Sequence, residues 1–138
     1  MKERDIQRLF GQYLKEKGFK VPAVFELKIE KKKSMPFNRV ADHQIKGLLQ
    51  ARDGLYLKIA DQTIGRGGGF GATLPKPFDC AYFKEMTGFV AVCFYIPRKT
   101  KILYLIEVSD FVILRDRCGR KSLTEEMAKE HSCMLVVL

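Results

Sequence analysis

Phe25-Glu26-Leu27-Lys28-Ile29 sets a carboxylate and an ammonium two residues apart inside an apolar run. Side chains of a strand alternate between its faces, so Glu26 and Lys28 point one way while Phe25, Leu27 and Ile29 pack the other. A carboxylate is a ligand for a hard divalent cation. A lysine beside it can orient an attacking water and stabilise negative charge as that charge develops. The pair therefore suits metal-assisted hydrolysis. Amphipathic edge strands produce the same spacing by chance, and a solvent-facing ion pair is the competing reading.

Other stretches carry weaker chemistry. Gly65-Arg66-Gly67-Gly68-Gly69-Phe70-Gly71-Ala72 contains a nominal G-x-G-x-x-A. A dinucleotide site needs a helix after it, and Thr73-Leu74-Pro75-Lys76-Pro77 forbids one. The segment also lacks the Gly-Lys-Ser/Thr of a P-loop. It reads as a glycine-rich loop over 65–77, with Arg66 available to a polyanion, or as a plain spacer. Cys80, Cys93, Cys118 and Cys133 form no CxxC pair and no zinc spacing, so they read as reduced thiols.

The chain has 138 residues, 46% of them hydrophobic, which is enough for the core of one domain spanning 1–138. Lys and Arg number 25 against 16 Asp and Glu, a net charge of +9. A small domain this basic is expected to meet a polyanion, nucleic acid first and an anionic membrane second. Basic residues gather at Lys31, Lys32, Lys33 and Arg39 directly after the Glu26 strand, at Arg98, Lys99 and Lys101, and at Arg115, Arg117, Arg120 and Lys121. A charge run is usually a solvated face, but the first cluster stands next to the candidate catalytic strand and suits phosphate contact. No apolar run approaches a membrane span, and Met1-Lys2-Glu3-Arg4-Asp5 offers no signal-peptide core. A cytoplasmic protein with no membrane partner is expected.

The elements that would position these residues follow from periodicity. Ile6, Leu9, Phe10, Tyr13 and Leu14 predict a helix over 3–17, stopped by Gly18. Residues 23–30 predict a strand, followed by a basic connector through Met35-Pro36-Phe37. Asp42 is placed to cap a helix reaching about Ala51, with Ile45, Leu48 and Leu49 inward. Strands are predicted over 55–59, 78–83, 88–96 and 102–108, with Phe111 to Leu114 continuing the sheet. Ser122 with Glu125 reads as a capping box for a late helix, and Met134 to Leu138 as a final strand. The sum is an α/β (α+β) domain, a central mixed β-sheet flanked by helices.

The ordered blocks Phe25-Glu26-Leu27-Lys28, Ser34-Met35-Pro36-Phe37 and Asp42-His43-Gln44-Ile45 resemble the RecU family of Holliday-junction resolvases. The strand over 55–59 and Tyr104-Leu105-Ile106-Glu107-Val108 fit the same order. The first helix with Glu3 is similar to the acidic opening helix of the archaeal Hjc resolvases. All belong to the PD-(D/E)XK nuclease superfamily, and the likeness is best over residues 3 to 60. It implies a restriction-endonuclease-like fold, a Mg²⁺ or Mn²⁺ cofactor, branched DNA as substrate and a homodimer with two sites. Such a compact nuclease suits a phage or mobile element in a bacterial cell.

The family pattern sets a metal-binding Asp upstream of the acid-x-Lys strand, and no acid occupies a strand there in this chain. Asp79, in Lys76-Pro77-Phe78-Asp79, has the family's Pro-Asp context but lies downstream, which implies a permuted active site. On the resemblance, Glu26 and Asp79 are the metal ligands with the Leu27 carbonyl, and Lys28 positions the water. Glu3 approaches from the first helix, and Gln44 touches a phosphate or a metal-bound water. Lys31, Lys32, Lys33, Arg39, His43 and Arg66 contact DNA. Each has a plainer reading: Asp79 as a turn residue after Pro77, Glu3 as an ordinary helix-start acid, His43 as a structural contact. Two other functions stay open. One is a non-catalytic DNA-binding protein of the same fold; the other is a repair- or restriction-type nuclease acting on other DNA.

Overall fold

Alternation along residues 23–30 builds the strand from which the rest of the chain is organised. The computed structural model of the chain describes residues 1–18, 23–59, 63–65, 73–75, 79–83 and 85–138, with the backbone alone for those between 55 and 83. The order is α1 (Glu3–Lys17), β1 (Ala23–Glu30), β2 (Ser34–Pro36), a 3-10 turn (Phe37–Arg39), α2 (Asp42–Asp53) and β3 (Leu55–Ile59). Then come β4 (Thr63–Gly65), β5 (Thr73–Pro75), β6 (Asp79–Phe83), β7 (Thr87–Phe94) and β8 (Ile102–Glu107). The chain continues through α3 (Val108–Arg117), β9 (Ser122–Thr124), α4 (Glu125–His131) and β10 (Met134–Val137).

The described fold is mixed α/β, with four helices and a mixed four-stranded sheet in the order β1-β7-β8-β10. β1 runs parallel to β7, Glu26 beside Val90 and Lys28 beside Val92. β7 and β8 are antiparallel, as are β8 and β10. A parallel pair needs a long crossover, and α2 lies within it. β7 is buried along nearly its whole length, as its uncharged sequence Gly88-Phe89-Val90-Ala91-Val92-Cys93-Phe94 requires of a central strand.

Two cores flank the sheet. On one face Leu27, Ile29, Phe89, Ala91 and Leu105 meet Ile6 and Phe10 of α1. Phe25 joins them, edge-on to Phe10 and stacked on Phe89, with centroids at 5.0 and 5.5 Å. On the other face Val90, Val92, Tyr104 and Ile106 meet Ile45 and Leu48 of α2, Phe111 and Leu114 of α3, and Met35 and Leu123 of the β2–β9 ribbon. Fully burying a side chain such as Phe111 or Ile6 contributes about 1.5–3 kcal/mol. Among the described residues no helix is long and apolar enough to cross a membrane.

Several expectations need correction. Phe111 to Leu114 belongs to helix α3 and not to the sheet. Burial of Val108, Phe111 and Leu114 with exposure of Ile113 is a helical period hidden inside an apolar run. Ser122 does not cap the late helix: Ser122–Thr124 pairs with β2, and Thr124 Oγ1 accepts the Met127 N–H at 3.2 Å to open α4. Asp42 is the first residue of α2 and not its cap, which is Ala41. The glycine-rich segment is not loop throughout, since Thr73–Pro75 pairs with Thr63–Gly65.

Candidate functional site

Pairing β1 with β7 orients the acid and the lysine. Glu26, Lys28 and Glu30 share a face with their partners Val90, Val92 and Phe94, so they point toward the α2 layer. Leu27 and Ile29 point to the α1 side. Lys28 is 9% exposed and its Nζ lies 2.8 Å from Glu26 Oε1. The solvent-facing reading of the pair therefore fails: the lysine is buried beside its carboxylate.

α2 supplies the third member. Ala41 has no side chain able to cap the helix, and Gln44 does so by reaching back, its Oε1 accepting the Ala41 N–H at 2.9 Å. With the amide oxygen so committed, the amide nitrogen faces the sheet and donates to Glu26 Oε1 at 2.6 Å. Gln44 thus touches the candidate ligand itself. One oxygen of Glu26 takes both Lys28 and Gln44; the other has no protein partner among the described residues.

Glu30, two residues beyond Lys28, was not anticipated. It is 6% exposed, and its Oε1 accepts the N–H groups of Lys31 and Lys32 at 2.8 and 2.9 Å. Arg39 Nη1 donates to Glu30 Oε2 at 2.9 Å and to the Ile29 carbonyl at 3.0 Å. Burial by itself raises the Glu30 carboxyl; the Lys32 N–H, the Arg39 guanidinium and the Lys31 N–H outweigh it and hold the pKa below the usual range. A third same-face charge, and the second acid, at the i, i+2, i+4 spacing was the signal for it. Arg39, expected to contact DNA, commits its Nη1 to this carboxylate and to the strand end.

The backbone of β1 has an open side. The Glu30 carbonyl accepts from Tyr95 on the β7 side, whereas the Ile29 carbonyl is taken by Arg39 from the other. Carbonyls alternate along a strand, so the Leu27 carbonyl lies on the same outer edge as that of Ile29. β1 is a terminal strand of its sheet, and that edge has no strand partner among the described residues.

The remaining candidates are dispersed. Glu3 opens α1, which packs on the opposite face of the sheet, and no bond joins it to Glu26 or Lys28 among the described residues. His43 is exposed beside Gln44, and Lys31, Lys32 and Lys33 are exposed at the turn after β1. Asp79 opens β6, opposite Ile59 of β3, with its side chain outside the described set; Arg66 lies outside it altogether.

Among the described residues no three His, Cys, Asp or Glu side chains gather to hold a metal ion. What they bring together is a half-buried carboxylate with one free oxygen, a buried ammonium against it, a fixed amide, and a carbonyl on an open edge. This set fits a hard cation as a half-site that needs one more acid. Compared with known proteins, the chain matches no protein-family model, no curated sequence and no solved structure.

Proposed function

We propose that this chain is a Mg²⁺- or Mn²⁺-dependent DNA endonuclease of the PD-(D/E)XK type, acting on branched DNA such as four-way junctions as a homodimer. The observation that carries the reading is the burial of Lys28 on a terminal strand against Glu26, whose carboxylate Gln44 also holds. Burying an ion pair costs several kcal/mol of desolvation, and apolar side chains of similar volume would serve packing as well or better. A site that handles charge explains why this position is polar. The basic surface and the resemblance of the Glu26, Phe37 and Gln44 blocks support the same conclusion.

Glu26, the Leu27 carbonyl and Asp79 would hold the cation. When bound, the cation supplies Lewis-acid polarisation of the phosphate and a more acidic water. Lys28 orients the attacking water and stabilises charge on the phosphoryl oxygens. Gln44 fixes the Glu26 carboxylate, leaving its second oxygen for the ligand. Chain length allows Asp79 to complete this set. Glu85 and Met86 donate to the Arg52 and Ala51 carbonyls, anchoring the chain after β6 at the end of α2, and Thr87 then begins β7 opposite Ala23. Asp79 precedes Thr87 by a stretch that spans up to roughly 26 Å when extended, whereas Glu26 stands roughly 10 Å along β1 from Ala23.

The test is cleavage of a four-way junction, a flap, a linear duplex and single-stranded DNA in Mg²⁺. Wild type is expected to cut the junction best. Lys28→Ala and Asp79→Asn should each lower the rate by about 100-fold or more while keeping DNA binding. A wild-type protein that cuts none of the four would overturn the enzymatic reading; normal cutting by Asp79→Asn would remove that residue alone. The lack of a complete acidic cluster among the described residues favours one second reading, a DNA-binding protein without catalysis. Calorimetric titration with Mn²⁺ separates the two, since that reading requires no binding and no effect of Glu26→Gln.

A further inference from the structure

A groove of about 750 Å³ runs between the segment from Pro36 to Asp42 and the segment from Arg115 to Ser122. We propose that it binds the phosphodiester backbone of a nucleic-acid strand entering the Glu26 site. The inference rests on the nuclease reading for the identity of its ligand, but its geometry is separate. Arg115, Arg120 and Lys121 line it, with Asn38 and one acid, Asp42.

The groove is built. β2 pairs with β9, and the Phe37 N–H donates to the Lys121 carbonyl at 3.1 Å, which ties the two walls together. Gly119, at φ +68°, turns the chain out of α3 through a conformation that suits glycine, and Arg120 and Lys121 follow it. Arg120 and Lys121 are exposed and have no ion-pair partner among the described residues. Arg115 is shared weakly with Asp42, at 3.5 Å, and with Asp116, at 3.0 Å. Three cations against one acid, with no buried charge to read a small ligand, match a repeated exposed anion.

The groove also leads somewhere. Ala41 lines it, the Ala41 N–H is bonded to Gln44, and Gln44 is bonded to Glu26. A strand lying along Arg120 and Lys121 toward Ala41 is thus directed at the candidate carboxylate. The occupant is a phosphate backbone and not a mononucleotide, because the cations are spread along one wall, from Arg115 to Lys121, and not gathered on one phosphate.

The experiment measures binding of a fluorescein-labelled DNA duplex in EDTA across a salt series by anisotropy. Arg115→Ala, Arg120→Ala and Lys121→Ala combined should lower the slope of log K against log salt by about 2–3 and weaken affinity more than about 10-fold. Asp42→Asn, a single exposed change of opposite sign, should tighten binding. A combined variant that melts like wild type and keeps the wild-type slope would overturn the proposal, as would competition by a mononucleotide as effective as that by the duplex. Lys28-dependent cutting with an unchanged slope would sink the groove and leave the nuclease. A changed slope with no cutting by wild type would do the reverse.

Discussion

Glu30 carries a charge where the sheet offers little water. Its carboxylate is held by two backbone N–H groups and by Arg39, and the same arginine ties down the last outward carbonyl of β1. These bonds fix the end of the strand that carries Glu26 and Lys28 and set where the Lys31–Lys33 turn begins. The carboxyl sits below its ordinary value of 4.5 in the folded chain, so it binds a proton less readily there than when unfolded. The stability it contributes is therefore complete above about pH 4.5 and is lost as pH falls through the lower, folded value. Glu30→Gln should cost about 1–3 kcal/mol at neutral pH. The deficit should shrink as the solution is taken below pH 4.5, where wild type loses the same bonds. Urea midpoints at neutral and acid pH, with unchanged m-values, check this; a deficit independent of pH would show that shape and not charge is what matters there. The sequence disclosed Glu26 and Lys28 because a two-residue period fixes their common face. It did not disclose the bond from Gln44, since that depends on how α2 docks, nor the capture of Arg39 by a buried acid.

Helix α2 is set by one close approach. A Cβ placed on Gly88 would stand 2.6 Å from the Leu48 carbonyl oxygen and 2.9 Å from the Leu48 Cβ, so only a glycine lets the helix backbone lie this near β7. That contact fixes the height of α2 over the sheet and hence the distance from Gln44 to Glu26. Gly88→Ala should destabilise by about 1–3 kcal/mol through overpacking. It should also weaken cutting beyond what the lost stability explains, because Gln44 is lifted off the carboxylate. Gly47, in the same helix, has nothing within 4 Å of its would-be Cβ. Gly47→Ala should stabilise by roughly 0.5–1 kcal/mol. Thermal melts of the two variants should move in opposite directions. The uncharged run from Gly88 foretold β7, which is buried on both faces, and periodicity foretold α1, β1 and α2 closely. It failed at α3, where Phe111-Val112-Ile113-Leu114 is apolar on every side and carries no period of its own. It failed again at β9, because three residues pairing with β2 are too few to show alternation.

Across the whole sheet, the two terminal strands have opposite characters. β1 at one end bears Glu26, Lys28 and Glu30; β10 at the other is Met134-Leu135-Val136-Val137, uncharged, with Leu135 and Val137 exposed. Among the described strands β10 pairs with β8 alone. An uncharged edge strand without proline is a template for another strand, and a two-fold axis through it would let β10 pair antiparallel with its own copy. The proposed homodimer would then be one continuous sheet with β1 at both ends. Its two sites would stand roughly 33 Å apart, measured as seven strand spacings before twist. That spacing suits two cuts on a symmetric branched substrate better than two cuts on one short duplex. Val137→Lys places a charge on each side of the proposed pairing and leaves Val136, the buried residue of the strand, untouched. Sedimentation should then change from dimer to monomer, while Mg²⁺-dependent nicking of single strands persists and paired cutting of the junction falls by about 10-fold or more, as the second cut becomes a separate binding event. If Val137→Lys sediments as wild type does, the copies do not meet at this edge, and any two-fold partner must approach from another side.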